Sequence, residues 1–193
     1  MRLRSVREED YRVLFNWRTD AFEFHLWDSL RRLPTFEDFK QQTQEMLRRT
    51  ISFMVIANKD DDHVGLVQAY GINPEANHCF TMAYIAPAYR RKPHAAEGYI
   101  ALLESLFRTM PLRKVYADIF DFNSHPMKPL MAGGFVEEGC FREHTWHDDR
   151  YWDVTRLAMY RERWMEVRAR ARRLLGVSED ASNAIAAQHD LAQ

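Results

Sequence analysis

The sequence predicts an α+β domain built on a mixed sheet. Strand-like and helix-like segments alternate in the order β, α, α, β, β, β, α, β, α, β, β, α. A strand–helix–strand unit in the middle of this order favours one parallel pair in a sheet whose other neighbours form hairpins. The chain has 193 residues, which suits one domain with a full core.

The first third of the chain predicts one strand and two helices. The strand is MRLRSV, and the helix REEDYRVLFNW follows with acids in its first turn, where the helix dipole favours them. Residues 18–34 are aromatic and irregular and predict no regular element. Thr35 then has the position of an N-cap, with Asp38 three residues later as in a capping box.

The middle of the chain predicts a three-stranded group and then the strand–helix–strand unit. The strands ISFMVIAN and VGLVQAYGI flank a polar turn, and CFTMAYIA follows them. A long helix comes next, because apolar residues recur at helical spacing up to Pro111, which ends it. KVYADIFDF is the strand after this helix.

The last third predicts a short helix, a long hairpin and a final amphipathic helix. Glycine ends the short helix NSHPMKPLMAGG, and the hairpin turns at HDD, residues 147–149. The final helix is RERWMEVRARARRLLG. We expect a domain over residues 1–164 and a helical extension or tail over residues 165–193.

Composition excludes several classes of function. The formal net charge is -1, which predicts no nucleic-acid partner. Cys79 and Cys140 have no metal-ligand spacing and are too few for a disulfide framework, so we expect no metal. No apolar run approaches the roughly 20 residues of a membrane span, and the N-terminus lacks an apolar signal segment. We therefore expect a cytoplasmic protein without a membrane partner.

The turn before the long helix carries a cluster of basic side chains, Arg90, Arg91, Lys92 and His94. A helix N-terminus after a strand binds anions through its free N–H groups and its dipole. Such loops normally use glycine, whereas this one has Pro93, which lacks an N–H but suits a first helical turn. The turn is either a phosphate site in which side chains replace one backbone donor, or a solvated basic connection.

Three stretches in order resemble the GNAT N-acetyltransferase superfamily, in particular the branch of the ribosomal-protein alanine acetyltransferases. The opening LRSVREEDYRVLFNWRTD is similar to the first strand and helix of that branch. NSHPMKPLMAGGFVEEG resembles its asparagine-led short helix, and GCFREHTWHDDRYWDVTRLAMYRERW resembles its closing hairpin. The resemblance covers residues 2–164.

This resemblance implies a mostly antiparallel sheet, flanked by helices and splayed at its middle, with acetyl-CoA in the opening. The turn pattern Gln/Arg-X-X-Gly-X-Gly/Ala is degenerate here, since Arg90 and Ala95 match it and Pro93 replaces its glycine. The residues implied in cofactor binding are Tyr84, Ile85, Arg90, Arg91, Lys92, His94, Ala95, Ala96 and Asn123.

The resemblance also implies direct attack of an amine on the thioester, and nothing in the chain resembles a nucleophile with an adjacent base. Three positions that handle protons in the family are apolar here, namely Phe80, Pro126 and Leu130. The remaining candidates for catalysis are Ser124, His125, Asp121 and His25. Catalysis by proximity with a water relay is an alternative to all of them.

An excess of aromatic residues suggests an aromatic-lined acceptor site. Its candidate residues are Phe22, Phe24, His25, Trp27 and Trp146, and the alternative is ordinary packing. The leading hypothesis is an acyl-CoA-dependent N-acyltransferase acting on a small-molecule or peptide amine or a protein N-terminus. Its rivals are a non-catalytic binding or scaffold protein of the same fold and a transferase with another activated donor. The long hairpin and the tail are compatible with a homodimer.

Overall fold

A computed structural model describes residues 2–20, 33–57 and 62–175, and its elements follow the predicted order. The strands are β1 (Arg2–Ser5), β2 (Ile51–Ala57), β3 (Asp62–Asn73), β4 (His78–Ile85), β5 (Lys114–Phe120), β6 (Val136–His147) and β7 (Arg150–Tyr160). The helices are α1 (Tyr11–Thr19), α2 (Phe36–Arg49), α3 (His94–Thr109), α4 (Met127–Ala132) and α5 (Arg161–Leu175). The predicted α+β class is confirmed.

Local chemistry accounts for two predicted boundaries. The Thr35 hydroxyl accepts a hydrogen bond from the backbone N–H of Asp38 at 3.2 Å, which caps the start of α2. Asp148 and Asp149 join β6 to β7 with φ of 47° and 57°. Two consecutive left-handed residues match the right-handed twist of a hairpin, and aspartate tolerates this conformation well.

The seven strands form one sheet in the order β1-β2-β3-β4-β5-β7-β6, and all neighbours are antiparallel except β4 and β5. The parallel pair is short, because its register ends at Phe80↔Tyr116. β4 continues to Ile85 and β5 to Phe120 without further pairing to each other. We call this gap, between residues 81–85 and residues 117–120, the V, and its last paired residues the apex. The predicted splay is confirmed.

Each face of the sheet carries its own core. On one face, Cys79, Val115 and other strand residues pack against α3 through Leu102 and Phe107. On the other face, α1 and α2 cover the side of the sheet that holds β2 and β3, where Met54, Ile56 and Leu66 are buried. The V therefore has α3 behind it on one side only.

The final helix α5 is anchored to α3. The Trp164 side chain is buried and stacks on Phe107 with 6.2 Å between ring centroids. The Arg172 guanidinium donates to the Glu104 carboxylate at 2.9 Å. α5 runs without a break through residue 164, where the domain boundary was predicted, and that boundary stays a prediction. None of the helices within the described ranges is long and apolar enough to cross a membrane.

Candidate active site

The apex of the V is closed by a hydroxyl pair. The Thr81 hydroxyl donates to the carbonyl of Tyr116 at 2.8 Å and lies 2.6 Å from the hydroxyl of Tyr99 on α3. Burial raises the pKa of Tyr99, so this hydroxyl stays protonated. The hydrogen bond from the Thr81 side chain links β4 to β5 at the point where their backbone pairing ends. The V therefore begins at Thr81.

The β4 edge of the V ends at Ile85. The backbone N–H of Ala86 donates to the carbonyl of Val64 on β3 at 2.9 Å. Because successive backbone groups of a strand point to opposite edges, the backbone of Tyr84 faces β3 and the backbone of Ile85 faces the V. The Ile85 carbonyl accepts from Nε of Arg90 at 3.2 Å. The N–H of Ile85 therefore points into the V, as an acyl carbonyl in it would require.

The basic turn lies at the mouth of the V, after β4. Arg90, Arg91 and Lys92 are all exposed, and Arg90 folds back over the end of β4 through its bond to Ile85. Arg91 has φ of 64°, which costs a non-glycine residue of the order of 1 kcal/mol. The Lys92 ammonium lies 4.6 Å from the ring centroid of Tyr89. The turn thus carries three exposed cations directly after the end of β4.

Pro93 directly precedes α3, with φ of -64° and ψ of -21°. The first N–H groups of a helix have no intrahelical acceptor, so the missing N–H of Pro93 costs α3 no hydrogen bond. Its carbonyl accepts from the N–H of Glu97 at 3.0 Å. His94, half-buried Ala95 and exposed Ala96 form the first turn, with Nδ1 of His94 3.5 Å from the Glu97 carboxylate. The helix N-terminus remains suited to an anion.

The candidates after β5 lie at the same mouth. A single turn of 3-10 helix spans Asp121–Asn123 and leads through Ser124 and His125 into α4. Asn123 is half-buried, whereas Asp121, Ser124 and His125 are exposed. The carbonyl of Ser124 accepts from the N–H of Met127 at 3.0 Å. Their roles stay predictions.

The predicted acceptor residues divide into two groups. Phe22, Phe24, His25 and Trp27 lie outside the described residues. Trp146 lies near the turn of the β6–β7 hairpin, is 46% exposed, and meets the ring of Tyr151 edge-on at 4.8 Å. Its role in acceptor binding stays a prediction.

Sequence reasoning missed a polar and aromatic cluster on the face of the V opposite α3. The Phe80 ring stacks on Tyr70 with centroids 5.6 Å apart and lies 5.2 Å from Tyr116. Arg156 on β7 lies 4.7 Å from the Phe80 centroid and pairs with Asp118 on β5. The alternation of KVYADIFDF could have located two residues of this cluster, because Tyr116 and Asp118 share one face of the strand.

A sheet opened at a parallel strand pair, with a cationic turn and a helix N-terminus at its mouth, agrees with the acetyl-CoA site that the family resemblance implies. The sequence matches the family model described as an acetyltransferase (GNAT) domain over residues 1–136. The chain belongs to this family, and the predictions of family and of an acyl-CoA-dependent N-acetyltransferase are confirmed. The alanine-acetyltransferase branch stays a prediction. No curated protein sequence matches the chain.

Solved structures share the fold. Spermidine N-acetyltransferase from Vibrio cholerae, in complex with CoA and spermine, superimposes with a TM-score of 0.75 at 22% identity, covering 84% of this chain and 96% of the other. The spermidine/spermine enzyme of the same organism, in complex with manganese ions, gives a TM-score of 0.73 at 22% identity, covering 85% and 94%. At this identity the likeness concerns the fold, which agrees with the splayed sheet described above.

Proposed function

We propose that this N-acetyltransferase moves the acetyl group of acetyl-CoA to the amine of a small molecule by direct attack. The observation that carries this proposal is the V, with the N–H of Ile85 inside it and the basic turn at its mouth. An N–H held in a rigid strand stabilises the charge that develops on a thioester oxygen. Holding an amine beside that carbon supplies much of the remaining acceleration.

Cofactor binding is assigned to the mouth of the V. The side chains of Arg90, Arg91 and Lys92 and the first amides of α3 would hold the pyrophosphate, and Asn123 would contact the pantetheine arm. From Ile85 back to Thr81 the strand spans about 13 Å, which accommodates an extended pantetheine. Ser124, His125 and Asp121 are the described groups proposed to exchange protons with the thiol side.

The acceptor we propose to test first is a polyamine. The structural neighbours from Vibrio cholerae are spermidine N-acetyltransferases, and this chain places aromatic rings and a carboxylate beside the V. Aromatic faces and carboxylates both attract ammonium groups. A peptide N-terminus is the second acceptor class. A cytoplasmic location, the absence of a metal and a homodimer remain part of the proposal.

Removing two cations from the turn is expected to weaken acetyl-CoA binding. In Arg90→Ala with Lys92→Ala, each lost contact to phosphate should raise the dissociation constant about tenfold or more. Thermal unfolding with and without acetyl-CoA measures this, since ligand at about 100 times its dissociation constant stabilises the fold by roughly 2.7 kcal/mol. The matched control is Arg48→Ala with Arg49→Ala, which removes the same charge from exposed positions at the end of α2. Equal acetyl-CoA affinity in both double variants would exclude the basic turn as the cofactor site.

The rival hypothesis from the sequence was a scaffold protein of the same fold. It is favoured by the apolar residues at three usual proton-handling positions, since Phe80 stacks between rings, Leu130 packs against the core and Pro126 precedes α4. Thiol release from acetyl-CoA, followed across a panel of amines, separates the two functions. Acetyl-CoA binding without amine-dependent thiol release would support the scaffold.

A further inference from the structure

In the part of the chain that the structure describes, the core closes one face of the V and leaves the other face open to an acceptor. Behind the V, Val115, Ala117 and Ile119 of β5 are buried in the core against α3. On the opposite face, Phe80, Tyr116 and Asp118 are only partly buried. Among the described residues, α1 and α2 cover the β2–β3 side of that face, and Trp17 of α1 contacts β4 at Tyr84, with 5.3 Å between ring centroids. The groups beside the V on the open face are therefore the ones that an acceptor meets.

Asp118 is a described carboxylate close to the apex on this open face. It follows Tyr116 by two residues, so the two side chains lie on the same side of β5. Two residues of strand amount to about 7 Å, which places Asp118 alongside the V just beyond its apex. Burial and the charge of Asp118 raise the pKa of Tyr70, and the charge of Arg156 opposes them.

Arg156 holds Asp118 in one orientation. Its Nε donates to Oδ1 at 2.8 Å and its Nη2 donates to Oδ2 at 2.7 Å. The guanidinium itself is packed among three rings, with centroids of Phe80, Tyr116 and Phe141 at 4.7, 5.2 and 4.7 Å. The fork uses two of the roughly four acceptor positions of a carboxylate. The Asp118 side chain is 22% exposed, so further positions remain accessible from the open face.

We propose that Asp118 docks the acceptor amine, with Arg156 as its positioning residue and the rings of Phe80 and Tyr116 as the surface for the carbon chain. This inference rests on the proposed function and names the substrate class: an aliphatic primary amine without a nearby negative charge. The carboxylate accepts hydrogen bonds from the arriving ammonium group. That group loses one proton to water before its lone pair attacks the thioester carbon, and the proton that the nitrogen loses after attack goes to the departing thiolate. The aromatic faces beside the carboxylate attract the ammonium form of the amine as it approaches. Asp118 is assigned binding and orientation, not removal of the proton.

The experiment compares Asp118→Asn with Glu138→Gln, using acetyl-CoA and spermidine as probes. Glu138 accepts two hydrogen bonds from Lys114 at 2.7 and 2.8 Å, so its substitution breaks a similar ion pair on the same face of the sheet, away from the V. In Asp118→Asn we expect kcat/KM for spermidine to fall about tenfold to a hundredfold. Acetyl-CoA affinity in both variants, and the kinetic constants of Glu138→Gln, should match the wild type. Partial recovery of kcat/KM in Asp118→Glu would show that the loss in Asp118→Asn comes from the missing charge and not from a folding defect.

Three other outcomes would each decide against the inference, and the last of them would also decide against the proposed function. Spermidine turnover by the wild type that is unchanged in Asp118→Asn overturns the inference and leaves the proposed function standing. β-Alanine, which carries a carboxylate, could prove a better acceptor than spermidine, with a turnover that improves in Asp118→Asn. That result would show that Arg156 docks the acceptor, and it would also overturn the inference. If the wild type with acetyl-CoA neither binds nor acetylates any amine of the panel, the proposed function fails, and the inference fails with it.

Discussion

Gly65→Ala is expected to displace the end of β4 and to cost both stability and activity. A Cβ at position 65 would lie 2.2 Å from the carbonyl oxygen of Tyr84 and 2.9 Å from Cδ1 of Ile85. The first neighbour is backbone, so β4 would have to move by roughly 1 Å. Overpacking of this kind typically costs about 1–3 kcal/mol of unfolding free energy. A shift of this size beside the reacting carbon can lower kcat/KM about a hundredfold.

Denaturant unfolding and steady-state acetylation kinetics measure the two effects of Gly65→Ala. The matched control is Gly139→Ala on β6, where an added Cβ would meet no atom within 4 Å. That variant should keep the stability and the kinetic constants of the wild type. Wild-type kinetics in Gly65→Ala would mean that the β4 edge at Ile85 takes no part in the reaction.

Much of the fold could be predicted because its determinants are local. The N-cap at Thr35 and the turn at Asp148 and Asp149 each act over a few residues. The alternation of apolar and polar residues sets the faces of β5, and helical spacing sets the buried side of α3. Predicting the splay required the family resemblance, because no residue pattern in β4 indicates where its pairing with β5 ends.

The location of the site could be predicted from the sequence, but the contacts among its side chains could not. The position of Pro93 at the head of α3 follows from the general preference of proline for a helix start. The pairing of Asp118 with Arg156 joins residues 38 positions apart and depends on the register between β5 and β7. The closure of the apex by Thr81 and Tyr99 likewise depends on how α3 packs on β4. Such contacts are set by tertiary structure, which single-sequence patterns do not encode.

Arg4→Met is expected to cause the largest loss of stability. The Arg4 guanidinium holds both carboxylate oxygens of fully buried Asp10 at 2.6 and 2.7 Å. The backbone N–H of Arg7 and the ring of His63 complete this site, which ties β1 to the start of α1 and to β3. Removing one partner of a buried pair leaves an uncompensated charge and typically costs about 3–5 kcal/mol. Urea unfolding at pH 7 measures the loss, and Glu9→Gln, which removes the exposed pair with Arg7, should change little.

The pH dependence of that loss tests its cause. Burial alone would raise the pKa of Asp10, but hydrogen bonds from Arg4, the Arg7 backbone and His63 outweigh it, so the net pKa is lowered. In the wild type this stabilisation is therefore full above the unfolded pKa of about 3.9, and it is lost as pH falls through the folded value. Without Arg4, burial dominates, the pKa of Asp10 rises, and protonation relieves the buried charge. The stability difference between wild type and Arg4→Met should thus be greatest near pH 7 and begin to shrink as pH falls through the raised pKa of Asp10 in the variant. It should shrink further below about pH 4, where the wild type loses its own stabilisation. A difference that does not change with pH would show that lost packing, rather than the charge of Asp10, destabilises the variant.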